Sequence, residues 1–409
     1  MAKNRRDSKG RALQKGETYL AKRGLYCFTY SDPMGKRRYV YSQDLLALRD
    51  KEKEIRKDSL DGIDSYARAN CTFDFLFERY IATKKNLRSS TRTNYVYTYK
   101  RYVKSVLGQK KIGDIRYSDL LYFYQTQLDK GLSLRTVDGM HRVIYSAFKL
   151  AVRDDIIRKN PAEGLMAEIK ASQDDEKVIH PLSYVEETEF LNYIDQPKYK
   201  NWKPLFYFMF GTGCRIGEVI GIRWGDIDFD RNEISINHDI TYGPREKNGF
   251  KCDYEVGPPK TKAGIRTIPL MEKVKVTLEE ERRQQDELGC HNTSVVDGMS
   301  GFVFCNRYGK FHKPSTINRA IYRIVDDHNQ QETIKAAKED REPVLIPHFS
   351  CHVARHTFCS RLCENGTNIK LIQQIMGHSD IRTTMDIYAE VTRDKSQAVF
   401  QEINEDEVL

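Results

Sequence analysis

A histidine, arginine and tyrosine series near the end of the chain is the part of the sequence best suited to chemistry on a phosphodiester. His352 and Arg355 are three residues apart, His378 follows Gly377, and Tyr388 comes ten residues later. Residues three apart on a helix share a face, so the first pair would point the same way. A guanidinium can neutralise the charge that builds on an attacked phosphate. A tyrosine in that setting can act as the nucleophile, losing its proton as it attacks.

Arg215 lies upstream in the glycine-flanked segment Thr212-Gly-Cys-Arg-Ile-Gly-Glu218 and would supply the second guanidinium of a phosphate clamp. The segment has neither the Lys-Ser/Thr pair of a P-loop nor the glycine spacing of a dinucleotide-binding loop. We therefore expect its glycines to form a tight turn that places Arg215 at the start of a helix. Two bidentate guanidiniums, from Arg215 and Arg355, would neutralise the nonbridging oxygens without any change of protonation.

Attack by a tyrosine also requires a proton for the departing 5′ oxygen, and a lysine can supply it. Lys260 and Lys262 lie in the segment Pro258–Gly264, between strand candidates at residues 253–256 and 266–270. We expect this segment to be the tip of a hairpin, and the residues alone leave open which lysine is the donor. The sequence shows neither an Asp/Glu cluster with two-metal spacing nor a His-rich zinc site, so no metal or other cofactor is expected.

The elements that would position these residues are mainly helical. Helices are predicted at residues 272–288, 314–338, 351–365 and 369–376, the last two ending at glycines. Apolar periodicity predicts a compact bundle of about four helices between residues 72 and 153. Aromatic and β-branched runs at residues 25–30 and 38–42 predict two strands, followed by a helix near residues 43–57. The expected fold is multidomain and mainly α with small β elements: a small β-sheet-plus-helix module, a helical bundle, and an α-rich domain with a small sheet.

Positive charge is concentrated at the N-terminus. Residues 1–42 contain eleven Lys/Arg and three Asp/Glu, which is a net charge of +8 in a chain whose total is +9. This distribution is typical of an appendage that binds a polyanion such as DNA, and a disordered basic tail is the alternative. The candidate DNA-contacting residues of the two N-terminal parts are Lys36, Arg37, Arg38, Lys84, Arg88 and Arg92.

Composition excludes other classes of protein. No stretch approaches the roughly 20 apolar residues of a membrane span, and the first residues lack the apolar core of a secretory signal. The nine cysteines show no paired CxxC spacing, which favours reduced thiols over a disulfide framework or a zinc ribbon. We therefore expect a cytoplasmic protein that does not act at a membrane.

The ordered series of candidate residues resembles the signature of the tyrosine recombinases, also called phage-type integrases. The similarity spans about residues 180–395, residues 65–170 resemble the core-binding domain of that family, and residues 171–409 would form its catalytic domain with a tail helix. Residues 1–64 resemble the arm-type DNA-binding module and linker of integrases from conjugative transposons. The resemblance implies a general acid at Lys260, a supporting acidic residue at Glu218, and a 3′-phosphotyrosine link at Tyr388. It further implies that the two arginines clamp the phosphate while His352 and His378 assist proton transfer and contact the phosphate.

The resemblance also implies partners. Members of the family act as homo-tetramers that exchange strands between two DNA duplexes through a Holliday junction, at core-type and arm-type attachment sites. They integrate and excise mobile elements in the bacterial cytoplasm, and their accessory partners are excisionases and host DNA-bending proteins. The segment after Tyr388 would then pack on a neighbouring protomer. Its apolar stripe of Val399, Phe400 and Ile403 could equally fold back on its own domain.

Three other functions are compatible with parts of the pattern. A type IB topoisomerase shares the chemistry but relaxes supercoils through one nick, and the separate basic module favours recombination over it. A non-catalytic DNA-binding regulator would need only the basic surface and would not depend on Tyr388. A metal-dependent nuclease would be abolished by a chelator, whereas a phosphotyrosine enzyme would not.

Overall fold

The computed structural model describes residues 5–32, 35–171, 180–245, 248–389 and 391. The chain divides into two compact units, residues 1–176 and residues 177–409. Both units are mainly helical with small antiparallel sheets, so the fold class expected from the sequence is confirmed. The linker predicted at residues 171–177 lies outside the described residues except for its first residue, and the apolar stripe of Val399, Phe400 and Ile403 lies wholly outside them.

A three-stranded sheet opens the first unit. Its strands are β1 (Glu17–Leu20), β2 (Leu25–Ser31) and β3 (Arg37–Ser42), antiparallel in that order, and α1 (Leu45–Leu60) follows. The predicted hairpin is β2 with β3, while β1 was not predicted. Alternate residues of β2 face α1, and a small core forms where Tyr26 and Phe28 meet Leu45 and Leu48.

The polar stretch at residues 58–64, expected to be a linker, is partly helical because α1 continues to Leu60. Asp58 is buried and accepts from Arg158 at 2.6 Å and from Arg68 at 3.2 Å. A buried carboxylate is stable only when cations and donors surround it. These contacts therefore tie α1 to later segments of the first unit.

The rest of the first unit is helical. Its elements are α2 (Ser65–Asn70), α3 (Phe73–Thr83), α4 (Ser89–Thr98), a π-helical segment (Tyr99–Val103), α5 (Lys104–Leu107), α6 (Tyr117–Asp129), α7 (Leu134–Arg153) and α8 (Leu165–Ala171). The central helix is α7, which begins at the N-cap Ser133 and buries a stripe of apolar residues with helical spacing. That stripe comprises Val137, Met140, Val143, Ile144, Ala147, Phe148 and Ala151.

The second unit surrounds one large apolar core. Its helices are α9 (Tyr184–Ile194), α10 (Lys203–Thr212), α11 (Ile216–Gly221), α12 (Glu272–Leu288), α13 (Pro314–Glu339), α14 (Cys351–Glu364), α15 (Ile369–Met376), and α16 at residues 382–389. Seven residues of α10 are buried, and this helix contacts both α12 and α14. The helices predicted at 272–288, 314–338 and 369–376 are confirmed almost residue for residue, and the predicted helix 351–365 ends one residue early.

Two small sheets complete the second unit, and they correct one prediction. The strands β4 (Ile227–Asp228), β5 (Glu233–Ile236) and β8 (Arg266–Pro269) form one sheet, while β6 (Asp239–Arg245) pairs with β7 (Lys251–Gly257) in another. The lysine-bearing segment between β7 and β8 therefore connects two sheets, and the prediction of a hairpin tip there is wrong. The reason is packing: Ile268 of β8 pairs with Ile234 of β5 in the core, whereas Tyr254 of β7 packs on Tyr242 of β6.

Candidate active site

Arg215 stands where two helices of the second unit meet. Gly213 ends α10 in the left-handed conformation (φ 59°), and a Cβ atom there would lie 2.3 Å from the ring of Phe358. Only glycine fits both requirements. The chain then turns, so that Arg215 becomes the N-cap of α11 and its backbone N–H donates to Glu218 at 2.9 Å. The predicted tight turn that places Arg215 at a helix start is therefore present.

Arg355 reaches the same region from α14. It is only 4% exposed, and its guanidinium donates to the carbonyl of Gly213 at 2.7 Å and to that of Met376 at 2.5 Å. Burial, followed by the positive charge of Arg215, lowers the pKa of Arg355 to about 10. A guanidinium with that pKa remains protonated at neutral pH, so Arg355 presents a fixed positive charge.

Three arginines converge on the C-terminal end of α15. Arg266 donates to Ile375 O at 2.6 Å, Arg355 to Met376 O, and Arg215 to Gly377 O at 3.0 Å. The last carbonyls of a helix lack partners within the helix and carry its negative dipole end. Three consecutive carbonyls thus hold three guanidiniums side by side, although the arginines come from three separate elements.

Glu218 adds the only carboxylate in this group of contacts among the described residues. It is 2% exposed and bonds to Arg215 at 2.9 Å and to Arg266 at 3.0 Å. Burial alone would raise the pKa of Glu218, but the hydrogen bonds and charges of Arg266 and Arg215 bring it below its ordinary value. Three guanidiniums and one carboxylate leave a net charge of +2 at the end of α15.

His378 follows Gly377 directly and connects this cluster to the tyrosine. Its Nδ1 lies 2.9 Å from the hydroxyl of Thr384, which is fully buried on α16. Burial, then the charges of Arg355 and Arg215, lowers the pKa of His378 to about 3, so the ring is neutral at physiological pH. Tyr388 lies one helical turn after Thr384 and is 38% exposed, while Ile387 beside it packs on α14 and α15.

His352 lies at the start of α14 with its side chain exposed, and it contacts a histidine that the sequence analysis did not select. The Nε2 atoms of His352 and His356 are 3.0 Å apart. Burial, then the neighbouring His352 and Arg355, lowers the pKa of His356 to about 4. A neutral ring at His356 can therefore accept a hydrogen bond from His352.

Both candidate lysines are exposed on the loop between β7 and β8. The loop contains a short helical turn, Lys262–Gly264, whose last carbonyl accepts from Arg266 at 3.1 Å. Arg266 thereby connects the lysine loop to the arginine cluster.

The six candidate DNA-contacting residues of the first unit have different surroundings. On β3 the side chains alternate between the two faces of the sheet: Arg37 is exposed, whereas Arg38 bonds to Asp32 at 2.9 Å and lies 3.6 Å over the ring of Tyr66. Lys36 and Arg88 are exposed. Lys84 lies 5.4 Å over the ring of Tyr80, and Arg92 donates to Ile81 O at 3.0 Å.

Sequence reasoning missed Arg266 and Thr384 as parts of this site. A signal for Arg266 was present, since it is two residues from the buried Ile268 on a strand and must share its inward face. No comparable signal marked Thr384.

Within the ranges that the structure describes, no group of three or more His, Cys, Asp or Glu side chains is arranged to hold a metal ion. None of the described helices is long and apolar enough to cross a bilayer.

Comparison with known proteins identifies the family. The model of the phage integrase family matches residues 182–395, that of the phage integrase N-terminal SAM-like domain matches residues 72–127, and that of the DNA-binding domain of Tn916 integrase matches residues 1–59. The transposase from transposon Tn1545 of Streptococcus pneumoniae is 30% identical, over 99% of this chain and 98% of its own. The transposase from transposon Tn916 of Enterococcus faecalis is 29% identical over the same shares.

Two solved structures of integrases are also similar to this chain. The Tn1549 transposon integrase in complex with transposon right end DNA has a TM-score of 0.67 and 27% identity, covering 81% of this chain and 99% of that one. A lambda integrase tetramer bound to a Holliday junction has the same fold, with a TM-score of 0.51 at 17% identity over 92% of this chain and 95% of that one.

The fold and the family matches are those of a tyrosine recombinase, an enzyme that cleaves and rejoins DNA strands. The chain belongs to the phage integrase family. It is a site-specific DNA recombinase, and the expected resemblance to integrases of conjugative transposons is confirmed.

Proposed function

We propose that this recombinase cleaves DNA by attack of Tyr388 on a scissile phosphate, with Arg215 and Arg355 as the phosphate clamp. The observation that carries the proposal is the group of guanidiniums on the carbonyls at residues 375–377, next to His378. The Tyr388 oxygen forms a bond to phosphorus, the bond from phosphorus to the 5′ oxygen breaks, and a 3′-phosphotyrosine remains. Positive charge that is already in place stabilises the transition state without reorganisation.

The remaining site residues have distinct proposed roles. The Nδ1 of His378 faces Thr384, so its Nε2 is the atom that would meet the phosphate. His352 would donate to the phosphate or accept the tyrosine proton, and its contact with His356 would orient the His352 ring. A lysine of the β7–β8 loop, Lys260 with Lys262 as the alternative, would protonate the departing 5′ oxygen.

The proposed DNA substrate and assembly are supported by the relatives. We propose that the chain acts on attachment sites at the ends of a transposon, which it integrates and excises as a homo-tetramer in the bacterial cytoplasm. The named transposases and the DNA-bound Tn1549 and lambda integrases support this proposal. An excisionase or a host DNA-bending protein is proposed as accessory partner.

Three functional domains are proposed: an arm-type DNA-binding module with linker at residues 1–64, a core-binding domain at 65–170 and a catalytic domain at 171–409. Matches of separate family models to residues 1–59, 72–127 and 182–395 support these boundaries. On the module, the exposed side of β3 carries Arg37 with Tyr39 and Tyr41. A basic and aromatic strand face of this kind suits a DNA groove.

Covalent trapping tests the chemistry. Nicked suicide duplexes taken from the DNA that flanks the gene for this chain are incubated with the protein and separated by denaturing electrophoresis. We expect a protein–DNA adduct that forms in the presence of a chelator and disappears in Tyr388→Phe. Tyr184→Phe, which removes a hydroxyl from an exposed tyrosine on α9 of the same unit, is the matched control and should retain the adduct.

The outcomes separate the alternatives. An adduct that survives Tyr388→Phe would show that another group attacks, and the proposal would fail. On a supercoiled plasmid that carries the same site, relaxed circles without newly joined duplexes would indicate a topoisomerase. Loss of cleavage with chelator would indicate metal-dependent hydrolysis.

A further inference from the structure

We propose that Arg266 is a positioning residue that keeps Arg215 available for the scissile phosphate by neutralising Glu218. This inference rests on the proposed role of Arg215 in the phosphate clamp. Arg266 itself would not touch the phosphate, because its side chain is only 6% exposed. The side chain of Arg215 is 29% exposed, so that guanidinium has a surface on which an anion can bind.

The contacts of Arg266 suit this role. Its two terminal nitrogens donate to the two carboxylate oxygens of Glu218, at 3.2 and 3.0 Å, in the bidentate geometry that arginine favours. Its Nε donates to Ile375 O at 2.6 Å, and one terminal nitrogen also reaches Gly264 O at 3.1 Å. One buried side chain thus joins α11, the end of α15 and the lysine loop.

The charge of Glu218 explains why such a residue is needed. Glu218 is the capping-box partner of Arg215, bonded to the Arg215 backbone at 2.9 Å and to its guanidinium at the same distance. A buried carboxylate with Arg215 as its only cationic partner would cancel the charge that the phosphate requires. With Arg266 present, the three arginines and Glu218 sum to +2; without Arg266 they would sum to +1.

Charge restoration gives a test that a merely structural role would not pass. Arg266→Met leaves the cluster at +1, whereas Arg266→Met combined with Glu218→Gln returns it to +2 and removes the buried carboxylate that draws on the charge of Arg215. We expect Arg266→Met to slow formation of the Tyr388 adduct by about tenfold to a hundredfold, somewhat below the loss for an oxyanion-hole donor. We expect the double variant to recover at least about tenfold of that loss. Arg283→Met, which removes an exposed arginine of α12, should leave the rate unchanged.

A second substrate tests the requirement for positive charge by changing the charge of the DNA instead of that of the protein. In a duplex with a methylphosphonate at the scissile position, a methyl group replaces one nonbridging oxygen and the phosphate loses its negative charge. We expect the defect of Arg266→Met to shrink at least about tenfold on this substrate, because less positive charge is required. Arg266→Lys retains the charge but loses the bidentate fork, and its rate on normal DNA should stay within about tenfold of the unchanged protein. This variant and the double variant keep the test informative if Arg266→Met does not fold.

Two results would overturn the inference. One is a rate for Arg266→Met equal to that of the unchanged protein; the other is a double variant, or Arg266→Lys, as slow as Arg266→Met on normal DNA. Either could occur while the unchanged protein still forms a Tyr388-dependent adduct, in which case the proposed function stands and only this inference falls. Absence of any such adduct from the unchanged protein would overturn both.

Discussion

Replacing Gly377 by alanine should damage both stability and cleavage, because the residue that ends α15 also carries a carbonyl of the arginine cluster. Gly377 has φ +63°, a left-handed conformation that costs an L-residue about 1–2 kcal/mol. A Cβ atom there would lie 3.0 Å from the carbonyl of Ala263 and 3.0 Å from a terminal nitrogen of Arg266. These neighbours would have to move, and with them the carbonyl that accepts from Arg215.

Gly366 provides a matched control, since it ends α14 in the same way. Its φ is +70°, and a Cβ atom there meets nothing within 4 Å. In both helices the next backbone N–H closes the turn at 3.1 Å, from Thr367 to Leu362 and from His378 to Gln373. Gly366→Ala should therefore lower the free energy of unfolding by about 1–2 kcal/mol from backbone strain alone. Gly377→Ala should lower it by that amount plus about 1–2 kcal/mol from weakened charge-assisted hydrogen bonds.

Tryptophan fluorescence can measure this difference in the appropriate unit, because the only two tryptophans of the chain, Trp202 and Trp224, both lie in residues 177–409. Urea unfolding of each variant gives the free energies, and trapping on suicide DNA gives the cleavage rates. We expect Gly377→Ala to slow adduct formation by at least about tenfold, which corresponds to about 1.4 kcal/mol, and Gly366→Ala to leave it unchanged. The coupling between the helix end and the arginines would be refuted if Gly377→Ala lost only as much free energy of unfolding as Gly366→Ala and cleaved DNA at an unchanged rate.

Two further predictions concern acid sensitivity and the basic module. The folded pKa of His378 is about 3 and its ordinary value is 6.5, so the unfolded chain binds more protons between these values and the free energy of unfolding must fall as pH is lowered through this window. Urea titrations at pH 7 and pH 5 should show a smaller loss of that free energy in His378→Gln than in the unchanged protein, by at most about 1.4 kcal/mol per pH unit. An identical loss in both proteins would contradict the buried neutral ring. On β3, Arg37→Ala should weaken binding of arm-site DNA and flatten its salt dependence without changing stability, whereas Arg38→Ala should cost about 1 kcal/mol of stability through the loss of its contacts with Asp32 and Tyr66. Gel-shift titrations at two salt concentrations measure the DNA binding, and thermal unfolding measures the stability. A reversed pattern would place the DNA on the other face of the sheet.

Local signals predicted the helix ends of the site well. Gly366 and Gly377 follow apolar helical patterns, and a glycine after such a pattern is a strong C-terminal signal because few other residues adopt the left-handed conformation. The spacing of Ser183 and Glu186 in the sequence is that of a capping box, and the structure shows both of its hydrogen bonds. These features depend on four or five neighbouring residues, so the sequence contains all the information needed.

Strand pairing could not be predicted in the same way. The strands at residues 251–257 and 266–269 are close in sequence and separated by proline and glycine, which favours a hairpin. Which partner each strand takes is decided by contacts far along the chain, such as Ile268 with Ile234 and Tyr254 with Phe311. Apolar residues of similar size could pair in several ways, and only the assembled core selects among them.

The candidate site shows a second limit of sequence reasoning, because its scaffold is backbone. The sequence presents Arg215, Arg266 and Arg355 as separate residues on three elements. What brings them together is a row of three carbonyls at the end of α15, and every residue type carries a carbonyl. A helix can therefore hold a cluster of guanidiniums together through its C-terminal carbonyls without any side-chain motif of its own. Substitutions that move this helix end should alter DNA cleavage even where they touch none of the reacting groups.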